Sequence, residues 1–278
     1  MRASATLRSR FRSELVEAAM RRTILSIILT IVFAGVAQAD KLQEPFDRIL
    51  DLRAGSPVSI DNVNGRIVVS TWDQPRVRIH AIRKAENREA LDKLTIDIRQ
   101  NGEGLSIATH MPKQAEGGGF LDFLFGNDGN ASIDYDVTVP RTTDLKVENT
   151  NGGISASDVN GSIQLSTTNG RIDAIHCAGT MSASTTNGSI HAELVQIASG
   201  KPMKFETTNG SISLLVPPSF AANVQAETTN GSIRTDLPVT TKSFSRRELH
   251  GTLNGGGADL GLYTTNGSIE VCSSGVTR

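Results

Sequence analysis

Aromatic residues are scarce in this chain of 278 residues, at 4% of the total. A core built around large rings is therefore not expected. The 38% of hydrophobic residues instead indicate a core of stacked Ile, Leu, Val, Ala and Thr. Cysteine is scarce as well, with Cys177 and Cys272 as the only two. An oxidising compartment would permit one bridge between them, and the sequence alone leaves their pairing open.

The chain also lacks an excess of basic residues, since its formal charge is −1. Residues 1–39 hold six Arg and two Glu. The rest of the chain therefore keeps 22 of the 28 basic residues and 27 of the 29 acidic residues, which is a formal charge of −5. No basic patch remains to indicate a nucleic-acid partner.

Motifs that carry catalytic or metal chemistry are missing. The five histidines show no metal-ligand spacing, and the recurrent Asp of calcium-binding nonapeptide repeats is absent after the glycines. There is no G-x-S-x-G elbow and no Cys–His context for a nucleophile. The sequence thus predicts a non-enzymatic protein with no catalytic, cofactor-binding or metal-binding residue.

The N-terminus has the features of a secretory signal peptide. Arg21 and Arg22 precede an uncharged stretch over residues 23–39, which ends in the A-x-A pattern of Ala37–Ala39. We expect cleavage after Ala39, with Met20 as a candidate start and residues 1–19 as an upstream over-extension. An uncleaved membrane anchor is the alternative. The prediction is export, to the periplasm, the cell surface or the medium.

One phrase, TTNGSI, occurs four times, at Thr185–Ile190, Thr207–Ile212, Thr228–Ile233 and Thr264–Ile269. Self-similarity of this kind is the signature of repeat architectures. The phrase recurs with drift at Asn64-Gly65, Asn151-Gly152 and Asn169-Gly170, and the copies at Asn151, Asn169 and Asn187 are 18 residues apart. Later intervals are 22, 21 and 36 residues, and we interpret the last as two periods of eighteen.

After each glycine, apolar and polar residues alternate, as in Ile163–Leu165 and Ile212–Leu214. This period of two indicates strands, and each Asn-Gly would supply the positive-φ positions of a tight turn. The predicted fold is all-β, a parallel β-solenoid (β-helix) of roughly 18–22-residue coils with Asn-Gly corners. Identical words favour it because they would stack in register. An antiparallel meander of hairpins is the alternative.

The rest of the chain divides by composition. Residues 40–116 contain six predicted strands and a short helical turn at 87–93, and we interpret them as an irregular N-terminal part that caps the open sheet. Residues 117–130 form a Gly/Phe-rich loop, and residues 131–278 hold the regular repeats. The loop carries Phe120, Phe123 and Phe125. It is interpreted as a lid on the solenoid, as a patch that contacts a partner or the membrane periphery, or as a disordered segment.

Three segments together carry a family resemblance. A secretory signal is followed by SIDNVNGRIVVSTWD and then by YDVTVPRTTDLKVENTNGGISASDVNGSI, which leads into the TTNGSI repeats. In this combination the chain resembles the bacterial putative-adhesin β-strand repeat family over roughly Val58 to Val271. The resemblance implies a β-solenoid on an exported bacterial protein, and it brings no catalytic residues with it.

The leading functional hypothesis is an adhesin or cell-envelope interaction module that presents a Thr/Ser/Asn-rich face. Its partner would be an envelope polymer, a surface glycan or another protein. The second hypothesis is a periplasmic scaffold that docks through the Phe120–Phe125 loop. A remote third is a polysaccharide-acting enzyme that uses Glu206 and Glu227, which would lie about 4.8 Å apart if their coils were adjacent.

Overall fold

A computed structural model describes residues 41–102, 104–111, 131–198 and 200–274. The prediction of an all-β fold is confirmed, and the described residues from Lys41 onward form one compact unit. The strands are β1 Leu42–Asp51, β2 Val58–Asn64, β3 Ile67–Trp72, β4 Arg76–Ala85, β5 Thr95–Asn101, β6 Gly104–His110, β7 Ser132–Pro140, β8 Leu145–Asn151, β9 Ile154–Ser157, β10 Asn160–Asn169, β11 Ile172–Asn187, β12 Ile190–Ile197, β13 Met203–Asn209, β14 Ile212–Val216, β15 Ala222–Asn230, β16 Ile233–Thr235, β17 Val239–Phe244, β18 Glu248–Leu253, β19 Ala258–Asn266 and β20 Ile269–Ser273. Among the described residues there is one short helix, α1, which spans Arg88–Lys93.

The repeats pair in parallel and in register. In the first stack the strands end at the Asn-Gly corner, and their order is β2, β8, β10, the C-terminal half of β11, β13, β19 and β15. In the second stack the strands begin after the corner, and their order is β3, β9, the N-terminal half of β11, β12, β14, β20 and β16. Equivalent residues face each other, as Asn169 faces Asn187.

The strand order does not follow the chain order at the C-terminus. Strand β19 lies between β13 and β15, so the last copy of the phrase is inserted between the two copies that precede it. The prediction that the 36-residue interval holds two regular coils is therefore wrong. Much of that interval is instead the antiparallel hairpin β17–β18, in which β18 pairs with β15.

Antiparallel strands also close the other end of the stacks. Strand β5 pairs with β6, which extends the first stack beyond β2. Strands β1 and β4 pair with each other, and β4 pairs with β7, which extends the second stack beyond β3. Helix α1 connects β4 to β5, and Asn87 caps its N-terminus by accepting a hydrogen bond from the Ala90 amide at 2.8 Å.

The core lies between the two stacks and follows the alternation of the sequence. The residue three places after each corner Asn, in the second stack, is an isoleucine with at most 4% of its surface exposed. In spatial order these residues are Ile67, Ile154, Ile172, Ile190, Ile212, Ile269 and Ile233. Each such side chain contributes about 1.5–3 kcal/mol by burial. Rings are few among the fully buried side chains, where Tyr135 and Phe205 are the largest.

Close approach of the corners, more than backbone conformation, explains most of the corner glycines. A Cβ on Gly188 would collide with the carbonyl of Gly170, and a Cβ on Gly210 with the carbonyl of Gly188. Positive φ, which the turn prediction required, occurs at Gly65 and Gly152. It does not occur at the corner glycines of the four TTNGSI phrases, so for them the prediction is wrong.

Candidate functional site

The outward face of the first stack carries a central row of side chains, each three places before a corner asparagine. In spatial order this row is Asp61, Glu148, Ser166, Ser184, Glu206, Tyr263 and Glu227. Period-two alternation directs these residues away from the core, and the row mixes carboxylates, hydroxyls and one aromatic ring. It is the polar face that the sequence predicts as a contact surface.

The same face is concave, and three depressions lie along it. Their volumes are about 500 Å³ beside Ser59 and Arg99, about 420 Å³ beside Glu148 and Ser184, and about 640 Å³ beside Tyr263. The first two share Lys146 and Gln164, and the last two share Glu206. The depressions therefore form one groove that crosses the strands, which we call the outer groove.

At its C-terminal end the outer groove is walled by the β17–β18 hairpin. His250 on β18 lies with Nε2 3.5 Å from Oε1 of Glu227 and 3.3 Å from Oε1 of Glu248. On the other side, Nζ of Lys204 lies 2.6 Å from Oε2 of Glu206. The hydrogen bond to Glu206 raises the pKa of Lys204, so this lysine stays charged in the groove.

Glu206 and Glu227 are not neighbours, which overturns the predicted geometry of an enzymatic pair. Tyr263 stands between them, because Glu206 pairs with Tyr263 and Tyr263 pairs with Glu227. Two strand spacings separate the carboxylates by about 9.6 Å, whereas a retaining glycosidase pair needs about 5 Å. Both side chains are also about half exposed, and a general acid depends on burial to raise its pKa.

Within the central row the carboxylates that do become neighbours are Asp61 and Glu148, a pair that sequence reasoning missed. They face each other across β2 and β8. Loss of water around Asp61, together with the charge of Glu148, raises the pKa of Asp61. The shared place of these residues in DNVNG and ENTNG was the available signal. Within the described ranges, no three His, Cys, Asp or Glu side chains are grouped as metal ligands.

One edge of the groove face ends in a ladder of asparagine side chains. Seven corner asparagines stack in the order Asn64, Asn151, Asn169, Asn187, Asn209, Asn266 and Asn230. Each amide nitrogen donates to the Oδ1 of the preceding member at 2.8 Å. At the first member, Asn64 donates to the carbonyl of Ala131 at 3.2 Å, so the bonds all run in one direction.

The two threonines of each TTN phrase have different environments. The first is buried, as Thr207 is with 2% of its surface exposed, and its hydroxyl donates to the carbonyl of Gly188 at 2.8 Å. The second, such as Thr208, is exposed beside the ladder. Only one of the two threonines in each phrase therefore faces outward.

Two features that the sequence singled out, the Phe-rich loop and the cysteine pair, form no part of the candidate site among the described residues. Phe120, Phe123 and Phe125 lie outside the described residues, although the flanking Met111 and Ala131 are both at the Asn64 end of the ladder. Cys177 and Cys272 form no disulfide with each other, and burial raises the pKa of the Cys177 thiol to about 11. No helix in the described part of the chain is long and apolar enough to cross a membrane.

The solved structures that match this chain share few identical residues with it. A putative cell adhesion protein from Clostridium sporogenes ATCC 15579 has a TM-score of 0.47 and 10% identity, and the match covers 83% of this chain and 100% of that one. A putative adhesin from Bacteroides fragilis NCTC 9343 has a TM-score of 0.30 and 9% identity, covering 83% and 97%. At TM-scores this low, no property of these proteins is transferred to this chain.

A third solved structure, a putative lipid binding protein from Parabacteroides distasonis ATCC 8503, has a TM-score of 0.28 and 10% identity, covering 83% of this chain and 96% of that one. No curated protein sequence gives a significant match. The family model described as Toastrack DUF4097 matches residues 127–272, and the predicted resemblance to adhesin-like repeat proteins is confirmed. Because that match spans more than half of the 278 residues, the chain belongs to the Toastrack family.

Proposed function

We propose that this protein is an exported, non-enzymatic adhesin-like module of the bacterial cell envelope. In this proposal the parallel repeats form a β-solenoid, and the outer groove binds an extended partner such as an envelope polymer, a surface glycan or a protein segment. The observation that carries the proposal is the groove itself, whose three depressions follow one another across strands of the first stack. Surfaces of this kind suit extended, multivalent contact.

The chemistry of the groove supports a polar partner. Its lining alternates cations such as Lys146 and Lys204 with carboxylates such as Glu148 and Glu206, and serine hydroxyls lie between them. These groups are exposed, so they can exchange hydrogen bonds to water for hydrogen bonds to a ligand at little cost. The groove is open along its length, which suits a chain-like ligand better than a small molecule that requires enclosure.

The first experiment asks where the protein is. The full chain, with its own N-terminus and a C-terminal tag, is expressed in a Gram-negative host, and its processing after Ala39 is checked by mass spectrometry. Protease is then added to intact cells. Loss of the tag supports display on the surface and adhesion to external targets. A tag that is protected until the outer envelope is opened contradicts external adhesion and leaves an envelope-binding module inside the cell envelope.

The second experiment asks whether the outer groove is the contact surface. Ser184→Trp places a bulky ring in the middle of the groove, and Ser213→Trp places the same ring on the outward face of the second stack. We expect Ser184→Trp to reduce sedimentation with purified envelope fractions by about tenfold (about 1.4 kcal/mol), and Ser213→Trp to leave it unchanged. Equal binding by both variants, with unchanged thermal unfolding, would overturn the assignment of the groove.

A scaffold that docks through the Phe120–Phe125 loop is the alternative, and deletion of residues 117–126 separates it from the groove proposal. If envelope association is lost in the deletion variant and kept in Ser184→Trp, then docking through the loop replaces the groove as the contact. If association is kept in the deletion variant and lost in Ser184→Trp, the loop is not needed.

A further inference from the structure

Tyr263 gives one part of the outer groove a chemistry that the rest lacks. Among the described residues that line the three depressions, it is the only Phe, Tyr or Trp side chain. Its place in the central row is held by Asp, Glu or Ser in the neighbouring strands, and its two neighbours in register are Glu206 and Glu227. An aromatic ring thus lies between two carboxylates, one strand spacing from each.

A glycine determines how this ring lies. Gly261 precedes Tyr263 by two residues on the same face of β19. A Cβ added at Gly261 would be 2.7 Å from Cε2 of Tyr263 and 3.2 Å from its hydroxyl oxygen. The neighbouring strands carry the long side chains Lys204 and Gln225 at this register. The missing side chain lets the ring lean along its own strand and lie over the backbone instead of standing upright in the groove.

Hydrogen-bonding groups line the depression around the ring. The carboxylates of Glu206 and Glu227 flank it, and β18 adds Glu248 and His250 at the wall of the groove. The exposed threonines Thr208, Thr265 and Thr229 lie beside it, toward the ladder. The ammonium of Lys204 lies 5.6 Å from the ring centroid and is held by Glu206. A ring with a rim of carboxylates and hydroxyls therefore lines a depression of about 640 Å³.

We propose that Tyr263 is the stacking platform of a saccharide-binding subsite for a neutral sugar unit within an extended glycan. The face of an aromatic ring is electron-rich, so it attracts the weakly positive C–H groups on the apolar face of a pyranose. Carboxylates accept hydrogen bonds from sugar hydroxyls, and charge-assisted bonds of this kind are stronger than neutral ones. This inference rests on the proposed function, because it names the ligand class of the same groove.

The charge of the subsite argues for a neutral sugar over an acidic one. Three carboxylates, of Glu206, Glu227 and Glu248, and one permanent cation, of Arg247, line the depression, and Lys204 lies beside it in an ion pair with Glu206. A uronate or another acidic unit at the ring would therefore meet a surplus of negative charge. The two sources of a neutral glycan, the cell's own envelope and an external surface, offer the same chemistry to the ring.

The test titrates the purified full chain with three soluble probes in separate calorimetric experiments. The probes are a hexamer of N-acetylglucosamine, which represents envelope glycans, a hexamer of mannose, which represents external surface glycans, and an oligomer of galacturonate. We expect one neutral hexamer to bind and the galacturonate oligomer not to bind. Which neutral hexamer binds more tightly distinguishes the two sources.

Three variants test the role of the ring. Tyr263→Ala should weaken binding by about tenfold, Tyr263→Phe should keep it within about twofold, and Gly261→Val should weaken it although the tyrosine is still present. The matched control is Ser213→Ala, on the outward face of the second stack and outside the outer groove, which should bind as the parent does. Each variant is first checked for unchanged thermal unfolding, because Tyr263 also packs on the strand.

Wild-type affinity in Tyr263→Ala would overturn the subsite. The subsite would also be overturned if Ser184→Trp reduced binding to envelope fractions while no neutral hexamer bound to the parent protein. In that second case the proposed function stands and only the saccharide inference fails. If Ser184→Trp also leaves envelope binding unchanged, the groove proposal fails together with the subsite.

Discussion

At the scale of single residues, the repeats are held by the close approach of their corners. The corner glycines stack so tightly that the space of a Cβ is already filled by the carbonyl of the neighbouring corner. At five of the seven corners a buried threonine donates to a glycine carbonyl of the adjacent repeat. Steric exclusion and hydrogen bonding therefore select the same residues, which explains why the phrase is repeated almost letter by letter.

Gly188→Ala should destabilise the protein. Its Cβ would meet the backbone of Gly170, which cannot rotate away as a side chain would, and overpacking of this kind costs about 1–3 kcal/mol. The matched control is Gly102→Ala, because nothing lies within 4 Å of a Cβ there. Urea unfolding of both variants checks the difference. Equal midpoints for the two variants would contradict the steric explanation.

Thr207→Val should also destabilise the protein, whereas Thr208→Val should not. The buried hydroxyl of Thr207 satisfies the carbonyl of Gly188, and a buried acceptor left without a partner costs about 1–3 kcal/mol. Thr208 is exposed, so in Thr208→Val water takes the place of the lost hydroxyl as a hydrogen-bonding partner. Thermal unfolding of the two variants side by side measures the contrast, and similar losses in both would show that the corner bond is not needed.

Tyr135 should make the protein sensitive to alkali. Its hydroxyl is buried against Thr109 at 2.8 Å, and burial raises its pKa from 10.0 to about 12. Because the folded state holds the proton more tightly, the stabilisation is complete below pH 10 and is lost as pH rises toward 12, by roughly 2–3 kcal/mol.

The measurement for Tyr135 is urea unfolding at pH 8 and pH 11 in the parent and in Tyr135→Phe. The phenylalanine variant should lose about 1 kcal/mol at pH 8, because the bond to Thr109 is gone. It should then lose less than the parent between pH 8 and pH 11. An identical pH dependence in both proteins would show that another group controls alkaline unfolding.

At the scale of elements, the chain does not add its strands in order. Strand β19 enters between β13 and β15 and pairs with both, and β20 does the same between β14 and β16. The hairpin β17–β18 then covers the outer edge of β15. In a simple repeat array each unit contacts only its sequence neighbours, whereas here the last unit joins the two before it.

Removal of residues 258–278 should therefore detach a segment instead of shortening the array by one unit. Without β19, strand β15 loses its parallel partner and keeps only the hairpin, and a small isolated sheet of this kind is marginally stable. We expect limited proteolysis to cut within residues 217–257 and to leave the preceding strands intact. Resistance equal to that of the full chain would mean that β15 pairs directly with β13 when β19 is missing.

At the scale of the whole molecule, the outward side chains of the first stack line a groove that crosses its strands. Seven parallel strands contribute to the row, so its length is about 29 Å at 4.8 Å per strand. Each strand offers a few polar groups, and no single strand offers an enclosed pocket. The molecule is thus arranged for many weak contacts along one line.

The proposed function then predicts that affinity depends on ligand length. Linked contacts act at a high effective concentration, so each added unit of a polymer should tighten binding until the polymer is as long as the groove. Competition with size-fractionated envelope oligomers measures this relation in the full chain, and the Ser213→Trp variant serves as the control with an intact groove. An affinity that is the same for dimers and for long oligomers would indicate a single pocket and contradict an extended contact.

The sequence by itself determined the local structure of the repeats. Alternation of apolar and polar residues predicted the strands and their buried faces, and Asn-Gly predicted the corners. The six strands and the helical turn predicted before residue 117 are all present. These features depend on side chains within a few residues of each other, so they can be inferred from a window of the chain. The asparagine ladder was also predictable, because identical residues at identical corners must meet when coils stack.

Only the tertiary structure decided which repeat lies on which. All copies of TTNGSI present nearly the same contact surface, so the phrase cannot specify its own neighbour, and the hairpin β17–β18 and its pairing with β15 select the order. That order separated Glu206 from Glu227 and placed Tyr263 between them. It also joined Asp61 to Glu148 across an interval that contains the Phe-rich loop. The sequence determines which residue each strand contributes to the outward face, but packing across the whole chain determines which strands are adjacent.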